Sequence, residues 1–302
     1  TQRFMEWFLR DGRKTKNGSL SSCALAAGFR KHVVNVAVNF LERIHKRDIL
    51  SVTADDADVF LADYEARGNK RSSATNILAD IRLLFQNLVA KGEMQSNPLK
   101  DYHEKPSSVD DDYVTPEGVA VLFDLSTVDW NDFCDVRDRF VTLCLLYDFA
   151  LRIGTVVRLI QSDLTVDSCV EIRLRKGVLK GQNKREVFRR SYFDESKKLL
   201  ERYLELRSLV TSNTDALIVG ANGKPMREGG CRDASKSHCD RLGIRTFGKA
   251  IPNPHRWRHT FGTLNIEPLG LSLDIYEIAE RLCHANIETT TQTYITNNRE
   301  LQ

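Results

Sequence analysis

The chain has 302 residues, 41% of them apolar and 28% charged, ordinary globular values with length enough for two full cores. Its formal net charge of +3 permits a nucleic-acid partner without requiring one. No apolar run approaches the ~20 residues that cross a bilayer and no signal peptide is visible, which excludes a membrane partner and favours a cytoplasmic setting. Seven cysteines (Cys23, Cys134, Cys144, Cys169, Cys231, Cys239, Cys283) form no C-x-x-C pair and are odd in number. They read as small buried hydrophobes in a reducing compartment rather than as a zinc site or a disulfide framework.

Residues 1–20 read as an N-terminal extension, with the basic, glycine-containing stretch from Arg10 to Gly18 expected as loop. From Ser21 to Arg47, Val33, Val36/Ala37, Phe40, Leu41 and Ile44 keep helical spacing. Thr53 followed by Asp56 is a capping-box start for a helix through Val59, Phe60 and Tyr64 that stops near Gly68. Ser72 or Ser73 caps the next helix, with Ile77, Ile81, Leu84/Phe85 and Leu88 inward and Gly92 as its stop. Asn97-Pro98 closes this bundle, so residues 21–104 are expected as an all-helical domain. Its Arg30, Lys31, Arg43, Lys46, Arg47, Lys70, Arg71 and Arg82 suit a solvated surface and a phosphate-contacting face equally well. Residues 105–113 are polar and acidic without apolar periodicity and read as a linker, leaving 114–302 as a second domain.

That second domain opens on Thr115-Pro116-Glu117, an N-cap, a proline and an acid. A strongly apolar helix follows from Phe133 to Ala150, and Arg152 stands at its end, where a cation suits the helix dipole. Val170, Ile172 and Leu174 alternate with charged residues as in a half-buried strand, and the lysine- and glycine-rich residues after it predict a β-hairpin carrying Lys176, Lys180 and Lys184. Further elements follow: a helix with Leu199, Leu200 and Tyr203, a short strand from Leu217 to Val219, a helix from Arg227 to Leu242, and one with Ile275, Ile278, Ala279 and Leu282 that ends at Cys283-His284. The fold class is mainly α with a small β-sheet (α+β).

Between the last two helices lies I-P-N-P-H-R-W-R-H-T-F-G-T, from Ile251. Asn253-Pro254 is a helix start, and Trp257, Phe261 and Leu264 form a stripe that should face the core. His255 and Arg258 share another face, beside backbone N–H groups expected to be unpaired at the positive end of the helix, which together would suit a phosphate. The alternative is a pair of solvated helix-start residues.

Arg, hairpin Lys, H-x-x-R, His and Tyr occur here in an order that resembles the tyrosine recombinase (phage integrase) family, over about residues 20–296. A-L-R-I with L-I-Q-S-D-L is similar to the family's G-L-R-I and its downstream L-x-x-x-D pattern, L-K-G-Q-N-K-R-E-V to its hairpin, and H-R-W-R-H-T-F-G-T to H-x-L-R-H-T-F-A-T. L-C-H resembles L-G-H and T-T-T-Q-T-Y resembles T-T-Q-x-Y. The resemblance implies catalytic residues Arg152, Lys180, His255, Arg258 and His284, with Tyr294 as nucleophile. It also implies a helical core-binding domain and a catalytic domain closing as a C-shaped clamp on double-stranded DNA, and a homo-tetramer in the active synapse. The enzyme would need no cofactor and no metal, and would work on cytoplasmic, nucleoid-associated DNA, most simply as the integrase or transposase of a mobile genetic element. Thr155 stands where the family often has an acid; Gln182 lengthens the hairpin, leaving Lys184 and Lys176 as rivals to Lys180; and Tyr294 lies one residue further from His284 than is usual.

The chemistry explains the residue types. A tyrosine hydroxyl attacking a phosphodiester keeps the bond energy in a phosphotyrosine, and guanidinium forks match the phosphate oxygens whose charge grows during attack. Histidines add hydrogen bonds or move a proton, and a hairpin lysine can protonate the leaving 5′ oxygen. Tyr276, the nearby alternative nucleophile, sits in an apolar helix and reads as packing. The alternative functions are a type IB topoisomerase-like relaxing enzyme and a non-catalytic DNA-binding relative.

Overall fold

A computed structural model describes residues 2–16, 19–69, 71–101, 112–178, 186–267, 270–284 and 287–291, which gather into two compact units, residues 1–108 and 109–302.

The first unit is built on helices α1 (Gln2–Asp11), α2 (Ala27–Arg43), α3 (Asp55–Ala66) and α4 (Arg71–Ala90). Between α1 and α2 the antiparallel strands β1 (Arg13–Lys16) and β2 (Ser19–Ala24) form a hairpin, β1 in the stretch expected as loop and β2 reaching into the stretch from Ser21 expected as helical. The reason is a long-range clamp. Buried Asn87 of α4 accepts from the Arg13 N–H at 3.1 Å and donates to the Arg13 carbonyl at 3.1 Å, giving β1 the partner that a loop would take from water. Phe4 and Phe8 of α1 join Val33, Ala37, Phe40, Phe60, Ile81 and Phe85 in one apolar core. The Asp56 carboxylate accepts from both N and Oγ1 of Thr53, but the N-cap is Ala54 and the Thr53 hydroxyl caps no backbone N–H, so only half of the expected capping box forms; Val59 turns outward. α4 starts at Arg71, so Ser72 and Ser73 lie inside its first turn rather than capping it. Gly68 and Gly92 do stop their helices, both at positive φ.

The second unit starts with α5 (Pro116–Phe123), capped by the Thr115 hydroxyl accepting from the Gly118 N–H. The expected long helix from Phe133 is α6 (Phe133–Arg139) running into a π-helix, Phe140–Asp148, all nine residues of which are buried. Its end widens to Phe149 N–H→Cys144 C=O and Leu151 N–H→Leu145 C=O bonds, with Ala150 in the left-handed region at φ 49°. The short helix α7 (Ile153–Val156) follows directly. Strands β3 (Leu164–Val166), β4 (Val170–Leu174) and β5 (Val187–Arg190) form an antiparallel sheet in that order, with Leu174 opposite Val187 at the hairpin end. Leu217–Val219 makes only isolated bridges, beside α8 (Asp194–Leu209) and α9 (Glu228–Arg241). Last come α10 (Pro254–Asn265), α11 (Ile275–Arg281) and α12 (Ile287–Thr290). The core lies between the π-helix, α8 and α10, with Phe140 stacked on Tyr203 at 5.1 Å and Tyr147 meeting Trp257 and Phe261 edge-on. This packing fixes the start of α10 against the end of the π-helix.

Candidate active site

Arg258 is buried, not a solvated helix-start residue, and its Nη1 donates to the carbonyl of Ala150. A guanidinium of α10 thus holds the turn that leads, two residues on, to Arg152. Arg152 is exposed and extended at the N-cap of α7, so it begins a new helix rather than capping the old one with its charge. His255 is exposed in the first turn of α10, above Arg258. The N–H groups of His255 and Arg256 are not left for an anion, however. Both donate to Oδ1 of Asn253, at 2.9 and 3.2 Å, so an anion at this helix start meets side chains rather than bare backbone donors. Leu264, expected at the core, is only half-buried, because the buried surface of α10 includes Thr260, Thr263 and Asn265 instead.

His284 follows α11. Its ring is held by Nδ1, 2.8 Å from the buried Thr290 hydroxyl of α12. Burial first, then the positive charges of Arg258 and Arg152 and the His255 ring, push its pKa down to about 4. The three charged or polar groups that act on it come from two other segments, Arg152 before α7 and His255 with Arg258 on α10. At neutral pH the ring is therefore uncharged, able to share a hydrogen bond but adding no repulsion to the two arginines. Lys180, its rival Lys184, and Tyr294 lie outside the described residues; Lys176 is exposed beyond the end of β4. Tyr276 is 71% exposed in the first turn of α11, contrary to its reading as packing. Thr155 is buried, its hydroxyl 3.5 Å from the Val178 carbonyl, so it secures the hairpin base rather than Arg152. Glu228 of α9 approaches α7 from outside, its Oε1 2.7 Å from where a Cβ at Gly154 would stand.

Sequence reasoning missed the groups beneath these residues. Asp148, at the end of the π-helix, is fully buried and bonded to Arg281 of α11 (Nη2 to Oδ1, 2.8 Å), to Ser196 Oγ and to the Tyr192 N–H. Arg281 also donates through Nε to the Asp148 carbonyl at 2.9 Å and through Nη1 to the Arg190 carbonyl at 2.8 Å. Arg189 of β5 caps α11 in return, donating to the carbonyls of Glu280 and Arg281 and approaching the Cys283 sulfur. The signal was present in V-T-L-C-L-L-Y-D-F-A, where one acid closes an otherwise wholly uncharged run and so demands a buried cation. Among the described residues no group of His, Cys, Asp and Glu is placed to hold a metal ion, and no helix is long and apolar enough to cross a membrane.

Relatives and solved structures agree with this architecture. The phage integrase family model matches residues 116–300. Tyrosine recombinase XerC of Staphylococcus carnosus (strain TM300) is 28% identical over 265 residues, covering 87% of this chain and 83% of its own. XerC of Haemophilus influenzae (strain ATCC 51907 / DSM 11121 / KW20 / Rd) is 25% identical over 266 residues, covering 86% and 82%. In fold the chain resembles the Tn1549 transposon integrase in complex with transposon right end DNA (TM-score 0.70, 16% identity, 99% of this chain and 97% of that one). It also resembles a lambda integrase dimer bound to a COC′ core site (TM-score 0.65, 13% identity, 90% of each). The chain belongs to the phage integrase family and is a tyrosine recombinase, an enzyme of DNA strand cleavage and religation.

Proposed function

We propose that this enzyme carries out site-specific strand exchange for a mobile genetic element, with Arg152, His255, Arg258 and His284 gathered around one scissile phosphate and Tyr294 as nucleophile. The Tyr294 hydroxyl oxygen attacks phosphorus while its proton is released to solvent, a 3′-phosphotyrosyl bond forms and the P–O5′ bond breaks. Lys180 gives the departing 5′ oxygen its proton, and attack by a 5′ hydroxyl of the partner strand reverses the step. Arg152 and Arg258 offset the charge that develops on the equatorial oxygens, and His284, uncharged at neutral pH, and His255 add hydrogen bonds there. The observation that carries this reading is the bond from the buried Arg258 guanidinium to the Ala150 carbonyl, which ties the helix bearing His255 and Arg258 to the turn that ends in Arg152, with the lowered His284 pKa in keeping with it.

Residues 1–108 act, on this reading, as the core-binding domain and 109–302 as the catalytic domain, with four copies assembling on two DNA sites in the nucleoid. Likeness to a transposon integrase bound to transposon-end DNA, and the departures at Thr155 and Cys283 from the commonest motif forms, support the mobile-element role.

A nicked suicide substrate made from the ends of the element tests the chemistry. The native chain should form a covalent DNA adduct that maps to Tyr294 and is absent from Tyr294→Phe. An adduct on Tyr276, or none from the native chain, contradicts the assignment, and relaxation of plasmid lacking any recombination site would point to a topoisomerase instead.

A further inference from the structure

Arg152 and His284 are presented in the same way, each just past a helix end whose capping residue is left-handed. Ala150 (φ 49°) closes the π-helix and Cys283 (φ 46°) closes α11, where the His284 N–H returns to the Ala279 carbonyl at 3.0 Å. Two residues before each left-handed cap stands one member of the buried pair, Asp148 before Ala150 and Arg281 before Cys283. The pair is therefore a crossbar between the two helix ends from which the two site residues emerge. Arg281 doubles it, binding both the carboxylate and the main-chain carbonyl of Asp148. Its guanidinium also lies over the rings of Tyr192, Phe149 and Phe261, at 4.4, 4.9 and 5.8 Å from their centroids.

As a source of stability this is a poor arrangement. Burial pushes the Asp148 carboxyl above its ordinary range even with Arg281 beside it, and pushes Arg281 down. A buried pair of this kind is commonly replaceable by apolar residues without loss of stability, whereas directional bonds fix geometry that apolar contacts leave loose.

We propose that Asp148 and Arg281, with Arg189 bracing Arg281 from β5, are positioning residues for strand cleavage that hold Arg152 and His284 at the spacing one phosphate requires. Neither residue of the pair touches the reacting atoms; each acts through the helix end it fixes. The assignment rests on the proposed role of Arg152 and His284. It predicts that cleavage depends on the pair out of proportion to stability.

The test uses the full chain with Asp148→Leu and Arg281→Met together, which removes both charges at once and leaves neither partner buried alone. Thermal stability and DNA affinity should stay near those of the native chain. Single-turnover adduct formation at saturating suicide substrate should fall on the order of 100-fold, the cost of misplacing a site by about 1 Å. In parallel, an NMR titration of His284 in the free protein should move up from about 4 as Arg152 and Arg258 drift away. A double variant with native stability, native cleavage rate and an unmoved His284 overturns the proposal. Should it fail to fold, Arg281→Lys, which keeps a cation beside Asp148 but loses the forked bonds to the Asp148 and Arg190 carbonyls, is read in the same two ways. Absence of an adduct from the native chain would instead undermine the functional assignment, and the His284 titration would still decide whether the crossbar sets the spacing.

Discussion

The two units of this chain bury different things. Among the described residues, the polar or charged groups buried in the first unit are Asp56 and Asn87, one closing a helix start and the other clamping a strand. Among its described residues the second unit buries six arginines, Arg137, Arg139, Arg189, Arg207, Arg258 and Arg281, together with Asp135, Asp148, Asp163 and His238. Most of those guanidiniums end on main-chain carbonyls: Arg139 on Val121 and Leu122, Arg207 on Thr214, Ala216 and Leu217, Arg258 on Ala150. Each such arginine pins a turn or a helix end that apolar packing alone would leave free to shift. The first unit is held together mainly by its aliphatic and aromatic core. The second gives up part of its desolvation energy to place a few backbone segments to within a fraction of an ångström, as a site that must grip a phosphate requires.

If that contrast is right, apolar truncations should cost the two units alike and charge removals should not. Phe60→Ala in the first and Phe261→Ala in the second should each lower stability by about 3–5 kcal/mol in denaturant unfolding, since both side chains are fully buried. A much smaller loss at Phe261 would mean that the polar lattice, not the apolar core, carries the second unit.

Acid should single out the second unit through His238. Burial first, then Arg139 and Arg241, lower its pKa to about 4, although Asp135 lies 3.3 Å from Nδ1 and pulls the other way. The folded-state value is thus below the unfolded 6.5, and the unfolded chain binds the proton first. The contribution is complete above about pH 6.5 and is lost as pH falls toward 4. His284, shifted the same way, adds to the same window. Unfolding midpoints measured from pH 7 to 4 should fall more gently in His238→Gln than in the native chain; parallel curves would remove His238 from the account.

Chemistry should be more sensitive than binding to the shape of a buried cation. Arg258→Lys keeps the charge but loses the fork that grips the Ala150 carbonyl and, in the proposed mechanism, a phosphate. Cleavage should drop on the order of 100-fold with little change in DNA affinity, as expected for a group that acts on the transition state. Equal losses in both would make Arg258 a binding residue only.

The smallest effects belong to the two left-handed caps. Ala150→Gly and Cys283→Gly relieve a conformation that costs a residue with a side chain roughly 1 kcal/mol, against the greater flexibility that glycine gives the unfolded chain. Each should leave the unfolding midpoint unchanged or slightly raised, and a clear fall would show that the Ala150 or Cys283 side chain contributes packing of its own.

Much of this architecture is legible in the sequence because it is written in local signals. Thr115-Pro116 and Asn253-Pro254 start helices, Gly68 and Gly92 stop them, and the alternation at Val170, Ile172 and Leu174 is a strand. What eludes a linear reading depends on partners far away in the chain. The hairpin at Arg13 exists because Asn87, 74 residues on, completes its hydrogen bonds. The π-helix bulge at Phe140–Asp148 leaves no periodic trace in a run buried on every side. Family motifs point to Arg152, His255, Arg258 and His284, but not to the Asp148–Arg281 crossbar beneath them, whose members are 133 residues apart. Asn253 illustrates the opposite error: it marks the helix start correctly while consuming the very N–H groups that suggested an anion site.

The most direct test of a shared phosphate site is the titration of His284 with and without saturating duplex DNA, followed by NMR. In the free protein it should titrate near 4, held down by burial, Arg258, Arg152 and His255. A backbone phosphate among those groups would offset their charge, so DNA should raise the value by a unit or more, roughly, toward the ordinary histidine range. A His284 titration that DNA leaves unchanged, while other residues report binding, would place the phosphate elsewhere and contradict the account.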